Sequence, residues 1–331
     1  VETTLMAASA GSNVKDTLKK LGVSFGSILF LILLLEIGFR LFYVDNTLTL
    51  DLDPDLYWFP RPSQKTAEVT INSVGLRGPE TKEKDPSRFR ILTTGDSFTF
   101  GDRVTDNESW PSQLGALLDK EQASHPGDKR PIEVLNGGGP GWGIFQMERY
   151  LRRAIPRYQP DMVMLTITPI DIYRQPFTPE QLAAYVKTQE RRKALRDASV
   201  FLTFIARRVV RLQQGRRAVP NEMGEDADKD MLWGKDKERI QKLIADFTGK
   251  TQFMVMVLQD FSKDHDWVAE HVGAFAGQNG TPFFDLGPAF TGMTKDGLTV
   301  VGDGHPNGKG HGITARAVAD MLYAKGYAQK P

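Results

Sequence analysis

With 40% apolar and 10% aromatic residues, a chain of 331 residues can bury a substantial core, as one large domain or two smaller ones. Its 42 Lys and Arg against 41 Asp and Glu leave a net charge of +1, so no nucleic-acid partner is expected from global charge. Cysteine is absent, which removes disulfides, thiolate catalysis and cysteine metal sites.

Residues 1–20 are small and polar and end in Lys15, Lys19 and Lys20. Leu21 to Leu35 carries no charge, and the apolar character resumes around Glu36 and Arg40 as far as Val44. A helix over 21–44 would be about 36 Å long, enough to cross the hydrocarbon with some tilt. Glu36 and Arg40, four residues apart, can pair or reach the interface. The competing reading is a buried soluble helix. The lysines before the run and Asp45, Asp51, Asp53 and Asp55 after it favour a span, with 1–20 cytoplasmic and the remainder outside. No small-x-small cleavage site follows, so the expectation is an uncleaved single-pass anchor in a bacterial inner membrane, with the main domain periplasmic.

Residues 45–87, rich in Asp, Pro, Lys and Gly, read as an extended stalk and cover segment with one strand at Glu68 to Ile71. Asn72 to Pro79 is turn-forming. From 88 to 331 strand and helix patterns alternate. Strands are expected at Phe89–Thr94, Ile132–Asn136, Met162–Thr168, Gln252–Leu258 and Pro282–Asp285, each nearly continuous in apolar residues, as in parallel strands covered on both faces. Helices are expected at Ser109–Glu121, Phe145–Arg153, Lys235–Phe247, Trp267–Ala276 and Gly310–Lys325. The alternation predicts an α/β fold, a three-layer α/β/α sandwich on a flavodoxin-like parallel sheet of five strands.

Residues 175–233 interrupt this rhythm as an insertion. Phe201, Leu202, Phe204, Ile205, Val209 and Leu212 stand against Arg207, Arg208, Arg211, Arg216 and Arg217. That pattern fits a packed helix with a solvated basic face, the preferred reading, or a helix lying on anionic headgroups. Gly215 to Leu232 is polar.

In an open parallel sheet, chemistry collects at the carboxyl ends of the strands. Those ends carry Gly95-Asp96-Ser97, the loop Asn136 to Gly141, Thr168-Pro169-Ile170-Asp171 and the late segment Gly302 to Asn307. A serine, a bank of backbone N–H donors and an Asp/His pair therefore share one edge. Ser97 needs a base, and His305, in a glycine-rich loop before the last helix, is the candidate, with Asp303 to orient it. His311 is read as structural, and His125, His265 and His271 as bystanders. The glycine loop lacks the Lys-Ser/Thr of a P-loop and the dinucleotide spacing. Asp96, Asp171 and Asp303 match no common ligand spacing, so neither metal nor cofactor is expected.

Gly95-Asp96-Ser97-Phe98-Thr99-Phe100-Gly101, the Asn136 to Gly141 loop and Asp303-Gly304-His305-Pro306-Asn307 together resemble the first, second and last blocks of the SGNH/GDSL hydrolase family. The Asn72 to Gly78 turn resembles that of bacterial members with an amino-terminal anchor. The resemblance implies Ser97 as nucleophile and first oxyanion donor, Gly138 as second donor, and Asp303 with His305 completing the triad. The family's third donor is an asparagine just before an aspartate. Here Ile170 precedes Asp171, with Thr168 as a candidate substitute. The Asp-to-His spacing is also one residue shorter than the commonest form.

The implied function is a membrane-anchored, extracytoplasmic serine esterase or O-acyltransferase acting on an acylated envelope glycan or lipid. The alternative is an impaired accessory or structural subunit, docked on a membrane-complex partner through the anchor and the basic insertion.

Overall fold

The computed structural model describes residues 2–43, 47–124, 130–213 and 227–327; His125, Arg216, Arg217 and most of the polar run after Gly215 lie outside them. The chain opens with one long helix, α1 (Glu2–Phe42). Its segment Asp16–Phe42, which holds an 18-residue window of mean hydropathy 2.2, is long and apolar enough to cross a membrane.

Four short strands follow: β1 (Leu50–Asp53), β2 (Tyr57–Pro60), β3 (Gln64–Lys65) and β4 (Thr70–Ile71). The expected extended stalk with a single strand is therefore corrected to a folded cover. β1 and β2 form an antiparallel hairpin in which Leu50 faces Pro60 and Asp53 faces Tyr57. Its turn closes because Asp53 Oδ1 accepts from the backbone N–H groups of Asp55 (2.9 Å) and Leu56 (2.8 Å). Leu56, Tyr57 and Trp58 are buried. The Trp58 indole donates to Pro140 O at 2.8 Å, Gln146 donates to Leu56 O at 2.8 Å, and Phe59 stacks on Trp142 and Tyr150. Burying Leu56, Tyr57 and Trp58, with Phe59 half-buried beside them, offsets the entropy of ordering a polar segment; composition averaged over 45–87 hides them.

The alternating part contains β5 (Phe89–Thr94), α2 (Ser97–Phe100), α3 (Trp110–Ser124), β6 (Ile132–Asn136), α4 (Ile144–Tyr158) and β7 (Met162–Ile167). After the helices α5 (Pro179–Ala198) and α6 (Val200–Gln213) come α7 (Lys229–Asp246), β8 (Gln252–Val257), α8 (His265–Gln278), β9 (Phe283–Asp285) and α9 (Gly308–Ala324). The five strands β5 to β9 are parallel in the order β6-β5-β7-β8-β9, the flavodoxin-like order, whose reversal point lies beside β5. Trp110, Leu114 and Leu118 of α3 and Ala315, Val318, Ala319 and Leu322 of α9 pack with Ile91, Met162, Met164, Met254 and Met256 into one core cluster. Leu92, Val163, Leu165 and Val255 alternate with these and point to the other face. There α4 packs on α7, Trp233 of α7 meets Phe275 of α8 edge-on at 5.8 Å, and α8 lies against β8 and β9.

The chain divides into two compact units, residues 1–45 with 183–217 and residues 46–182 with 218–331. The expected insertion at 175–233 is thus two different things. Its middle belongs with α1. Its end is the first turn of α7, which starts six residues before the expected Lys235 because Asp228 caps it by accepting from Met231 N–H at 3.0 Å. Leu232 and Trp233 of that turn are buried.

Candidate active site

β5 ends at Thr94, and the chain turns at once into α2, with Asp96 as its N-cap accepting from Phe98 N–H at 2.9 Å. A side chain at Gly95 would overlap the hydroxyls of Thr99 and Thr166, so this turn requires glycine. Ser97 is the first residue of α2. Arg77, buried in the turn after β4, fixes the other end of α2: its guanidinium donates to Phe100 O (3.0 Å), to Gly101 O and to Val104 O (2.7 Å), and it pairs with Asp106 at 3.1 Å. A cation on the last carbonyls of a helix suits their partial negative charge.

His305 approaches from the loop before α9. The segment is pinned by Val300 N–H to His305 O (2.8 Å), and Asn307 caps α9 by accepting from Lys309 and Gly310 N–H at 3.0 and 3.1 Å. Ser97 Oγ lies 2.8 Å from His305 Nε2. His305 Nδ1 bonds Asp303 Oδ1 through a short contact, and Asp303 Oδ2 pairs with Arg103 Nε at 3.0 Å. Burial works to raise the Asp303 carboxyl, but the His305 hydrogen bond and the Arg103 charge prevail and hold it below the usual range. The Asp303 end of this relay is thus fixed in its charged form, and His305 Nε2 is left to accept from Ser97. Arg103 sits at φ 67°, the left-handed region that only glycine adopts freely.

Below Ser97 lies a buried charge cluster. One Arg174 Nη1 serves Asp96 Oδ2 (3.0 Å), Asp171 Oδ1 (2.9 Å) and Trp142 O (3.2 Å). Burial first, and then the charge of Asp96, push the Asp171 carboxyl well above its usual range.

Two expected oxyanion donors have other hydrogen-bond partners in this geometry. Thr168 donates its hydroxyl to Asp96 at 3.2 Å and its N–H to Asp171 at 2.7 Å, so both its donors are committed to the cluster. Gly138 gives its N–H to Asn136 Oδ1 at 3.1 Å, and a Cβ there would overlap the Phe100 backbone. It is a packing glycine. Gly137 and Gly139 donate to Thr93 O and Gly95 O, both at 2.9 Å. Gly141, at φ 72° and half-buried, is the glycine of this run whose N–H meets no acceptor among the described residues.

Beside the triad, Phe98, whose ring is 5.4 Å from His305, lines a narrow pocket of about 10 Å³ with Trp110, Leu258, Phe261, Phe290 and Pro306. His311 also lines it and is structural, as its place in the sequence suggests. Its Nδ1 accepts from Trp110 N–H at 3.3 Å, which caps α3 and leaves the proton on Nε2. Burial pushes the His311 imidazole down to about 3, and the charges of Arg77 and His305 act the same way. His265 bonds Asp285 at 3.0 Å and His271 stacks on Trp267, both away from the triad. Among the described residues no group of three acidic or histidine side chains forms a metal site.

The model of the GDSL-like lipase/acylhydrolase family matches residues 93–313, more than half of the chain, from the end of β5 into α9. The chain belongs to the GDSL-like lipase/acylhydrolase family. Eight solved structures, two of them described as G-D-S-L family proteins, match 70–72% of it at 12–18% identity. One is a lipolytic G-D-S-L family member from Veillonella parvula (15% identity, 70% of this chain and 97% of that one, TM-score 0.44). A second is a catalytic mutant of an acetylxylan esterase from Geobacillus stearothermophilus (17%, 70% and 93%, 0.44). A third is a lipase/acylhydrolase from Enterococcus faecalis (13%, 71% and 96%, 0.43). No curated protein matches the sequence.

In this GDSL protein the structure places Ser97, His305 and Asp303 in hydrogen-bond contact in that order, where the sequence reading expected them to meet. That reading did not include Arg103, Arg174 or Gly141. Arg103 carries no local signal, being one arginine in a turn, and Arg174 reaches Asp96 across 78 residues of sequence. Gly141 was legible only as one of several glycines.

Proposed function

We propose that this GDSL protein is a serine esterase or O-acyltransferase held at the outer face of a bacterial inner membrane by α1, with Ser97, His305 and Asp303 as its catalytic triad. The observation that carries the reading is the 2.8 Å contact between Ser97 Oγ and His305 Nε2, with Nδ1 held on Asp303. His305 Nε2 takes the Ser97 proton as Oγ bonds to the ester carbonyl carbon. The backbone N–H groups of Ser97 and Gly141, neither with an acceptor among the described residues, are the oxyanion donors in this reading. Collapse of the tetrahedral intermediate breaks the bond to the alcohol, which leaves with the proton from His305. Water or a sugar hydroxyl then attacks the acyl-enzyme, passes its proton to His305, and Ser97 recovers it.

An ester of an envelope glycan or lipid suits a domain tethered beside the membrane. The test is labelling by a fluorophosphonate probe together with hydrolysis of p-nitrophenyl acetate and longer-chain esters. Ser97→Ala is expected to abolish both, and unchanged hydrolysis in the purified variant sinks the reading.

A second reading has its own observation. Ile170 occupies the place of the third donor, and Thr168 is committed elsewhere. On that reading the protein is an accessory subunit of a membrane complex. Absence of probe labelling, together with a stoichiometric partner in a native pull-down, decides for it.

A further inference from the structure

Within the unit formed by residues 1–45 and 183–217, α6 is tied to the carboxyl end of α1 by one ion pair. Glu36 accepts from Ser199 Oγ (2.6 Å) and from the first N–H groups of α6, Val200 (3.0 Å) and Phe201 (3.1 Å). Arg40 bonds Glu36 at 2.6 Å and donates to Ala198 O, the last carbonyl of α5, at 3.1 Å. An anion at a helix start and a cation at a helix end each meet the favourable end of the dipole. Phe39 packs on Phe201 (5.3 Å) and Phe204 (5.0 Å), and Tyr43 on Phe204 (5.4 Å). The Phe201/Phe204 face of α6 is therefore covered by α1.

A different face is left bare. Leu202, Ile205 and Val209, spaced three and four apart on one stripe, are 44%, 40% and 45% exposed. The surroundings of that stripe are basic. Between Ala183 and Gln213 there are eight Lys or Arg (Lys187, Arg191, Arg192, Lys193, Arg196, Arg207, Arg208 and Arg211) against Glu190 and Asp197, in a chain whose total net charge is +1. An apolar stripe on a strongly basic helical segment is the composition of an interfacial helix, and juxtamembrane basic clusters are attracted to anionic lipid. Position along the anchor agrees. Glu36 lies about 24 Å along α1 from Lys20, close to the far boundary of a hydrocarbon layer of about 30 Å. Aromatic side chains such as Phe39 and Tyr43 suit that level.

We propose that α6 lies in the headgroup region of an anionic bilayer. Leu202, Ile205 and Val209 enter the lipid, the basic residues of α5 and α6 sit among the headgroups, and Glu36 and Arg40 fix α6 to the end of the span. The occupant of the stripe is phospholipid rather than a protein, because the basic charge around it matches anionic headgroups and α1, exposed at Leu34, Ile37 and Leu41, carries the same unit to the membrane boundary. The inference rests on reading α1 as the membrane anchor.

The absence of cysteine makes the test direct, since single labelling sites are introduced into the full chain without background. Leu202→Cys, Ile205→Cys and Val209→Cys variants, with Leu29→Cys in the span and Glu238→Cys on α7 as references, carry an environment-sensitive fluorophore. They are reconstituted into phosphatidylcholine–phosphatidylglycerol vesicles containing spin-labelled lipids. The three α6 labels are expected to be quenched most by a label near the headgroup, Leu29 by a label deep in the acyl chain, and Glu238 by neither. If Leu29 is quenched while the α6 labels behave like Glu238, the inference is overturned and the anchor stands. If Leu29 is not quenched, the anchor reading fails and the inference with it. Protection of the α6 labels from aqueous iodide in native membranes, but not in lipid vesicles, assigns the stripe to a protein partner and likewise overturns it.

Discussion

The buried His311 gives this protein an acid lability that can be calculated and then removed. In the native state its imidazole is held to about 3, chiefly by burial, whereas an unfolded histidine titrates near 6.5. As pH falls through about 6.5, the unfolded chain binds a proton that the native chain refuses. The stability contributed by neutral His311 is therefore present above that value and is lost progressively toward pH 3. At about pH 4.5 the loss from this one group is about 2.7 kcal/mol, a sizeable share of the total stability of a domain. His311→Asn keeps an acceptor for Trp110 N–H at the Nδ1 position and cannot take up the proton. Urea unfolding of wild type and variant, followed by tryptophan fluorescence from about pH 7 to pH 4.5, isolates the effect. Buried carboxyls such as Asp236, raised by burial to about 6, change stability in the opposite sense, but equally in both proteins. The wild type is expected to lose about 2.7 kcal/mol more than the variant over this range. Parallel pH profiles would falsify the assignment of His311 as a buried neutral group.

Three further outcomes follow from the geometry. Arg103→Ala removes a half-exposed partner of Asp303, and a pair of that kind contributes about 0.2–1 kcal/mol. Turnover of a p-nitrophenyl ester should fall by no more than about fivefold with KM unchanged, and a loss of several orders of magnitude would mean that Arg103 does more than orient Asp303. Ile170→Asn restores a side-chain amide where the family carries its third oxyanion donor. It should raise kcat by roughly ten- to a thousandfold if the pocket admits the amide, and an unaltered kcat would place the oxyanion elsewhere. Ser199→Ala removes the hydroxyl that accepts from Leu202 N–H at 3.0 Å and donates to Glu36. Loss of such a cap costs about 0.5–2 kcal/mol and should appear as faster amide exchange over Val200 to Thr203, with ester hydrolysis unaltered.

Sequence legibility followed the range of the interactions. The five parallel strands could be read because each is a short apolar run, and the meeting of Ser97 with Asp303 and His305 because Ser97 follows β5 directly and the other two sit in the glycine-rich loop before the last helix. The cover segment was misread because its order comes from Tyr57, Trp58 and Phe59 packing on Trp142, Phe145 and Tyr150, far along the chain. Gly138 and Thr168 show the limit in the site itself. Residue type and position suggested donors, but whether an N–H or hydroxyl is free depends on its other neighbours, here Asn136, Asp96 and Asp171. The Glu36–Arg40 pair could be read as an i,i+4 contact, yet its partners at Ser199 and Ala198 lie more than 150 residues away.

The β1–β2 hairpin also has a mechanical consequence. It is the first folded element that the chain enters after α1, and it belongs to a sheet of only two strands. Tension applied from the amino-terminal side would first load the Thr49 bonds to Arg61 and Gln64, then peel β1 from β2 one register at a time from Leu50↔Pro60 toward Asp53↔Tyr57. Such unzipping breaks bonds in series at low force, whereas the Trp58 to Pro140 contact sits behind the hairpin on β2. A pull from the side of α1 is thus absorbed by a short strand that can re-form, before any strain reaches the glycine loop beside Ser97.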